Sequence, residues 1–172
     1  MSEEVDARIS SAAVDAAVGL EEHGRLLYLR LAELMSDPIS QQMFGKLAED
    51  ERQHGEILRQ GRSELVPTLD PARLDWVVDG SARSPSPVSS LLSGASEAMI
   101  AAGHSRCCSE LDAIAIAVVL ELASIRSYAD LLRVCQSDAA RLTLRRLLEE
   151  EEKHFEILGR RAQQVFRDLS LA

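Results

Sequence analysis

The sequence contains few aromatic residues. One Trp, two Tyr and three Phe occur among 172 residues, whereas hydrophobic residues as a whole make up 46%. The core must therefore be built mainly from aliphatic side chains. Ala, Leu, Glu and Arg are abundant and runs of β-branched residues are short, which favours helices over strands. We expect residues 1–172 to form one all-α domain.

Cysteine is also scarce. Cys107, Cys108 and Cys135 form neither an even set nor a Cys-x-x-Cys pair, so the sequence predicts no disulfide framework and no cysteine metal site. Cys107 and Cys108 are neighbours, and adjacent residues form a disulfide only with strain. We therefore expect free thiols and a reducing, cytoplasmic location.

Long apolar runs and excess positive charge are absent as well. No apolar segment reaches the roughly 18 residues that a transmembrane helix requires. The chain starts with MSEEVDARIS, which is acidic and unlike a signal peptide. The net charge of −9 argues against nucleic acid or an anionic membrane surface as a partner.

The periodicity of the apolar residues marks four helices. Asp37-Pro38 separates the first two, because proline suits the first turn of a new helix. Glu110 and Asp112 suit the start of the third, where the helix dipole favours acidic side chains. The predicted helices cover about residues 6–36, 38–62, 109–136 and 138–168.

A long connection, residues 63–108, separates the two helix pairs. It holds four of the five prolines and a Ser-Pro tract, and residues 90–103 within it read as a short helix. Such a length is uncommon in a compact domain, but a ferritin-like four-helix bundle needs one crossover along its length. We expect Trp76 to anchor this crossover to the bundle.

The two helix pairs repeat one another. Residues 11–61 align with residues 111–161 at a constant offset of 100 and without a gap. Apolar matches are common between amphipathic helices, so the polar matches carry the argument. They pair Glu21 with Glu121, Tyr28 with Tyr128, Glu51 with Glu151 and His54 with His154.

The spacing of these polar residues places them on common helix faces. Each first helix carries a Glu and, nearly two turns later, a Tyr on the same face. We therefore expect Tyr128 to orient Glu121. Each second helix carries Glu-x-x-His, whose spacing of three puts carboxylate and imidazole one turn apart on one side.

Glu121 lies within the apolar segment AIAVVLELASIRSY, residues 115–128, where an unpaired carboxylate would be strongly unfavourable. Four such carboxylates would be neutralised by two divalent cations, with two imidazoles completing the ligand set. Oxygen and imidazole donors suit iron or manganese. The predicted metal ligands are Glu21, Glu51, His54, Glu121, Glu151 and His154.

These motifs resemble the rubrerythrin-like branch of the ferritin-like di-iron carboxylate superfamily. The resemblance implies a four-helix bundle holding two Fe ions, with manganese as an alternative and zinc as a substitute. It assigns Glu51 and Glu151 as bridging ligands, the first-helix glutamates as terminal ligands and one histidine to each metal. It also implies that Tyr28 and Tyr128 hydrogen-bond ligand carboxylates.

The sequence departs from that family at two points. Rubrerythrins carry a rubredoxin-like domain with Cys-x-x-Cys motifs, which these 172 residues lack, so electrons would come from a separate protein. Rubrerythrins also have an extra carboxylate one turn after the third-helix Glu, where this chain has Ser124. A symmetric six-ligand site is closer to ferroxidase and generic di-iron chemistry than to peroxidase chemistry.

The resemblance leaves several functions open. We expect an oxidoreductase that oxidises Fe(II) with O2 or H2O2, or reduces them, in oxidative-stress defence or iron handling, and that forms a homodimer. The alternatives are an iron storage or delivery protein and a non-enzymatic helical module whose Glu and His are surface residues. For Tyr28 and Tyr128, the alternative to a contact with ligand carboxylates is buried packing without a catalytic role, and we expect His23 and His104 to be solvated.

Overall fold

Four long helices make up most of the structure. The computed structural model describes residues 3–74 and 109–171. Within these ranges the remaining regular structure is two short 3-10 turns and one isolated β-bridge. The all-α prediction is confirmed, and each helix end lies within three residues of its predicted position. The helices are α1, Glu3–Leu34; α2, Pro38–Leu65; α3, Glu110–Val134; and α4, Asp138–Leu171.

The predicted crossover begins with the last residues of α2 and the two 3-10 turns, Val66–Thr68 and Pro71–Arg73. Asp70 N donates to Val134 O (3.0 Å) and Gln136 N to Thr68 O (2.8 Å), which joins this segment to the end of α3. Trp76, the predicted short helix 90–103, His104, Cys107 and Cys108 lie outside the described residues. Nothing in the described helices is long and apolar enough to cross a membrane.

The starts of α2 and α3 are fixed by side-chain caps. Asp37 accepts a hydrogen bond from the backbone N–H of Ser40 at 2.9 Å, and Pro38 occupies the first turn of α2. Ser109 and Asp112 form a reciprocal capping box at the start of α3. These caps satisfy backbone N–H groups that have no partner inside the helix.

Adjacent helices run antiparallel. Arg62, near the end of α2, donates to Asp15 in the first half of α1, at 3.0 and 2.9 Å. Between α1 and α3, contacts of Tyr28 with Glu121 and of Tyr128 with Glu21 require opposite directions. The two repeats therefore face each other across the bundle axis.

A polar layer separates two aliphatic clusters in the core. On α1, one cluster ends at Ala17 and the other begins at Leu27, with Glu21 between them. On each of the other three helices the predicted ligands likewise lie between residues of the two clusters. Every helix therefore contributes its predicted ligands at one level of the bundle. The buried residues that flank this layer on α2, α3 and α4 are Ala48 and Leu58, Leu120 and Tyr128, and Leu147 and Leu158.

Arg161 of α4 connects three helices at one end of the bundle. Its guanidinium donates to Glu110 at the start of α3 (2.5 Å), and to Asp37 (2.8 Å) and Ser40 (2.9 Å) at the start of α2. The Arg161 side chain is only 12% exposed. This contact fixes the relative positions of the helix starts.

Candidate metal centre

The six residues predicted as metal ligands lie together in the polar layer. None of their side chains is a surface group, so the interpretation of these residues as solvated is wrong. His23, by contrast, is exposed as predicted. The exposed fractions are 1% for Glu21 and Glu51, 0% for Glu121 and Glu151, 5% for His54 and 2% for His154.

Their ligand atoms form two groups that share two carboxylates. Glu51 and Glu151 belong to both groups, in each of which one atom per residue lies within 4.8 Å of the others. Glu21 and His54 complete the first group, the His54 group. Glu121 and His154 complete the second, the His154 group. The shared carboxylates come from the Glu-x-x-His helices, and each unshared one comes from the first helix of its repeat.

Many polar atoms in these groups have no hydrogen-bond partner among the described residues. Both carboxylate oxygens of Glu51 and of Glu151 are buried in this way. Buried polar atoms are normally paired, so a cluster of unpaired carboxylate and imidazole atoms fits a site for bound cations. The other unpaired atoms of the six residues are Glu21 Oε2, Glu121 Oε2, His54 Nδ1, His154 Nδ1 and His154 Nε2.

Both imidazoles present Nδ1 to the carboxylates. His54 Nδ1 lies 2.7 Å from Glu151 Oε1 and 3.4 Å from Glu21 Oε2. His154 Nδ1 lies 3.4 Å from Glu51 Oε1 and 3.7 Å from Glu121 Oε2. The two rings stack with centroids 5.5 Å apart. The distances place one histidine at each end of the shared carboxylate pair.

Burial and mutual contact shift the pKa values of these groups. Burial lowers the pKa of His54, but contacts with Glu151 and Glu21 outweigh it and raise the pKa to about 9. Burial likewise opposes protonation of His154, yet its carboxylate neighbours raise the pKa to about 12. Without a cation, protonated imidazoles therefore compensate part of the negative charge.

The pKa values of the buried glutamates shift in different directions. Burial raises the pKa of Glu121 to about 8, although His154 opposes the shift. Burial also raises the pKa of Glu51 well above its ordinary value, and the charge of Glu151 adds to this. Burial acts on Glu151 too, but its close contacts with His154 and His54 outweigh burial and lower the pKa to about 2. The layer binds protons readily when no metal is present.

The two tyrosines connect the repeats crosswise. Tyr28 donates to Glu121 Oε1, and Tyr128 donates to Glu21 Oε1 at 2.6 Å. The prediction that Tyr128 orients Glu121 of its own helix is therefore wrong. Seven residues correspond to about 10 Å along a helix axis, too far for that contact, whereas the antiparallel neighbour brings the other repeat's carboxylate within reach.

Gly24 permits the close approach of α1 to the layer. A Cβ at this position would lie 3.1 Å from Leu120 Cδ2 and 3.2 Å from Glu51 Cδ. Such distances are too short without movement of a neighbour, so the missing side chain leaves room for the Glu51 carboxylate.

A comparison with protein families identifies the chain. The family model described as Rubrerythrin matches residues 13–161, which include most of each of the four helices and all six predicted ligands. The chain belongs to the rubrerythrin family. The paired carboxylate and histidine groups of this rubrerythrin-family chain form a candidate binuclear metal site.

Two solved structures share the fold. A Thermotoga maritima protein described as ferritin-like and diiron-carboxylate is 23% identical, with a TM-score of 0.64, over 91% of this chain and 95% of its own. A hypothetical protein from Pyrococcus furiosus is 19% identical, with a TM-score of 0.58, over 97% of this chain and 94% of its own. A search of curated proteins found no match. These likenesses confirm the ferritin-like four-helix bundle for the rubrerythrin-family chain.

Ser124 lies one turn after Glu121 in the rubrerythrin-family chain and is 2% exposed. Among the described residues, the two ligand groups contain four glutamates and two histidines and no seventh acidic side chain. The symmetric six-residue arrangement predicted from the repeat is therefore the one that the described residues form.

One residue beside the ligands was missed in the sequence. Asp50 Oδ2 lies 3.6 Å from His154 Nε2, the ring nitrogen that points away from the shared carboxylates. Two features of the sequence could have indicated Asp50. It directly precedes Glu51, and the equivalent position of the other repeat is also acidic, Glu150.

Proposed function

We propose that this rubrerythrin-family protein is a di-iron oxidoreductase that oxidises Fe(II) with dioxygen or hydrogen peroxide. The observation that supports it best is the pair of buried ligand groups sharing Glu51 and Glu151. A pair of cations held between two shared carboxylates is the arrangement of ferritin-like di-iron and di-manganese proteins.

The ligand roles follow from membership of the two groups. Glu51 and Glu151 would bridge both metals, because each belongs to both groups. Glu21 and His54 would bind one metal, and Glu121 and His154 the other. Four carboxylates carry four negative charges, which two divalent cations neutralise in a layer that is almost closed to solvent.

The donor set supports iron, with manganese as an alternative and zinc as a substitute. Carboxylate oxygens and imidazole nitrogens suit each of these ions, and none of the donors is a thiolate. Two iron ions held by these residues would supply the paired one-electron changes that reduction of dioxygen or peroxide requires. The protein contributes the dry environment: the aliphatic clusters on both sides of the layer exclude bulk water.

The tyrosines would hold the terminal carboxylates. Tyr128 donates to one oxygen of Glu21 and leaves Glu21 Oε2 free for a metal. Tyr28 does the same for Glu121. Such contacts fix the orientation of a ligand before the metal binds, which raises affinity.

Ser124 bears on the choice of reaction. A buried serine at this position provides no additional carboxylate that could exchange places with a ligand during turnover. We therefore propose that oxidation of Fe(II) is the main activity, in iron handling or oxidative-stress defence. Peroxide reduction would be slower and would depend on a separate electron-donor protein.

The test has two parts. Metal analysis of protein purified without chelators should give about two metal ions per chain; the E151A variant should lose them, while E149A, two residues earlier on the exposed face, should keep them. Anaerobic Fe(II)-loaded protein should then be mixed with O2 and, separately, with H2O2 in a stopped-flow instrument. Absence of metal would overturn the proposal, and binding without reaction with either oxidant would reduce it to a structural metal site.

Three further expectations remain predictions: the homodimer, the separate electron donor and the cytoplasmic location. Light scattering after size-exclusion chromatography measures the first directly. A 24-subunit particle would favour iron storage over catalysis.

A further inference from the structure

His154 has a second ring nitrogen that the ligand groups do not use. Its Nδ1 faces the carboxylates, while Nε2 points to the opposite side, is buried and has no hydrogen-bond partner among the described residues. The carboxylate of Asp50 is placed for this nitrogen, with Oδ2 at 3.6 Å. A shift of about 0.6 Å would bring the two atoms to ordinary hydrogen-bond distance.

Asp50 is itself held in place from the solvent side. Lys46, one turn earlier on α2, approaches its two carboxylate oxygens at 3.0 and 3.4 Å. The Asp50 side chain is 25% exposed, so it lies at the edge of the layer. It is anchored on α2, whereas His154 is on α4, and the contact therefore joins the two Glu-x-x-His helices.

The equivalent position of the second repeat makes no such contact. Glu150 pairs with Lys153, one turn later on its own helix, at 2.6 Å, and its side chain is 49% exposed. Within residues 3–74 and 109–171, Glu150 makes no ion pair with His54. The repeat is therefore symmetric in its ligands but asymmetric in what supports the two histidines.

We propose that Asp50 is a positioning residue that accepts a hydrogen bond from His154 Nε2–H, and that the His154 group is consequently the tighter of two unequal metal sites. A carboxylate that accepts from the outer nitrogen of a metal-bound imidazole fixes the tautomer and the ring orientation, and strengthens the inner nitrogen as a ligand. This inference rests on the proposed two-metal function. It adds that the first metal binds with His154, Glu121 and the shared carboxylates, and the second with His54 and Glu21.

The experiment compares three variants of the full chain. D50A removes the acceptor, D50N keeps an oxygen acceptor without the charge, and E150A is the matched control at the equivalent position. Zinc serves as a diamagnetic probe. Competition with a fluorescent chelator gives the two stepwise affinities, and long-range 1H–15N spectra of the zinc-loaded protein report which nitrogen of each imidazole carries the proton.

The expected result is specific to one site. D50A should weaken one of the two zinc affinities about 10- to 100-fold and shift the Nε2–H resonance of His154. D50N should lose less zinc affinity than D50A, and E150A should match the wild type in both measurements. Circular dichroism melting of the metal-free variants shows whether each still folds, and D50N keeps the test decisive if D50A does not.

Three outcomes would overturn the inference: equal loss from D50A and E150A, unchanged affinities in D50A, or an unshifted His154 resonance. Failure of the wild type to bind two zinc ions is a different result, because it would remove the proposed metal function itself.

Discussion

Tyr128 on α3 donates a 2.6 Å hydrogen bond to Glu21 on α1, and its repeat-related partner Tyr28 donates to Glu121 in the opposite direction. Each repeat therefore orients the first-helix glutamate of the other. Neither half of the chain can form a complete ligand group alone, because the tyrosine that contacts each first-helix glutamate and the second shared glutamate both come from the other repeat.

The crossed tyrosines predict crossed effects. Y128F should lower the metal affinity of the group with Glu21 and His54 by roughly tenfold. Y28F should lower the metal affinity of the group with Glu121 and His154 by a similar factor. Loss of the hydroxyl also leaves a buried carboxylate oxygen unpaired, which should destabilise the metal-free protein by about 1–3 kcal/mol. Zinc competition and denaturant unfolding measure the two effects. An equal effect of Y128F on both metals would contradict the crossed arrangement.

Removal of a terminal ligand should change the metal stoichiometry. E121A should bind one metal ion per chain instead of two, because the shared carboxylates and the Glu21–His54 side remain. L122A, at the next residue on α3 and 51% exposed, is the matched control and should retain both ions. The measurement is plasma emission analysis after anaerobic loading; two metals in E121A would count against the assigned site.

Metal binding should raise thermal stability. The ligand atoms converge only in the folded chain, so a cation binds the folded state and stabilises it by about 2.7 kcal/mol at 100 times its dissociation constant. For a chain of this size that corresponds to a rise in Tm of roughly 5–10 °C. Calorimetry with Mn(II) or anaerobic Fe(II), followed by addition of a chelator, checks it. The rise in Tm should disappear when the chelator is added. A Tm that changes with neither the metal nor the chelator would contradict binding of a cation to the folded protein.

The pH dependence of stability should differ between metal-free and metal-bound protein. The pKa of His54 is about 9 in the folded state against 6.5 for the free side chain, so its contribution is complete below pH 6.5 and is lost as pH rises through 9. Glu121, whose pKa is raised to about 8, acts in the same direction. The low pKa of Glu151 leaves its contribution constant above pH 4.5.

His154, whose pKa is raised to about 12, also acts in this direction, so we expect the metal-free protein to lose more than about 3 kcal/mol of its free energy of unfolding between pH 6.5 and pH 9. Metal must displace protons from the ligands, so metal affinity rises with pH. With metal bound, the free energy of unfolding should therefore increase from pH 6.5 to pH 9. Guanidinium titrations at both pH values, with chelator and with Mn(II), separate the two cases. Metal-free protein that is more stable at pH 9 would refute the charge balance described here.

Arg161 provides a prediction that concerns stability alone. R161A leaves Asp37 and Glu110 without their shared cation and should lower the free energy of unfolding by about 2 kcal/mol. R160A, at the preceding residue, removes only an exposed pair with Glu156 and should change it by less than about 0.5 kcal/mol. Both variants should still bind two metals, since neither residue contacts the ligand groups; a stoichiometry below two in R161A would show that the helix starts also position the centre.

The amino-acid sequence was sufficient to predict the four helices, their order and the six residues of the polar layer. Apolar periodicity specifies which face of each helix is buried, and the 100-residue repeat singles out the polar residues that share that face. Nothing within its own helix explains why Glu121 is buried. Its counterpart Glu21, in the other repeat, indicates that both glutamates belong to one shared site. These are local or repetitive properties, so they can be read along the chain. The roles of the six residues as metal ligands stay a prediction.

The tertiary structure alone decided which residues contact one another across helices. The pairing of Tyr128 with Glu21 instead of Glu121 depends on the antiparallel offset of α1 and α3. Asp50 contacts His154 on another helix, whereas the equivalent Glu150 pairs with Lys153 on its own helix. Helical periodicity specifies the direction of a side chain from its own helix axis, but the distance to a group on another helix is set only when the bundle packs.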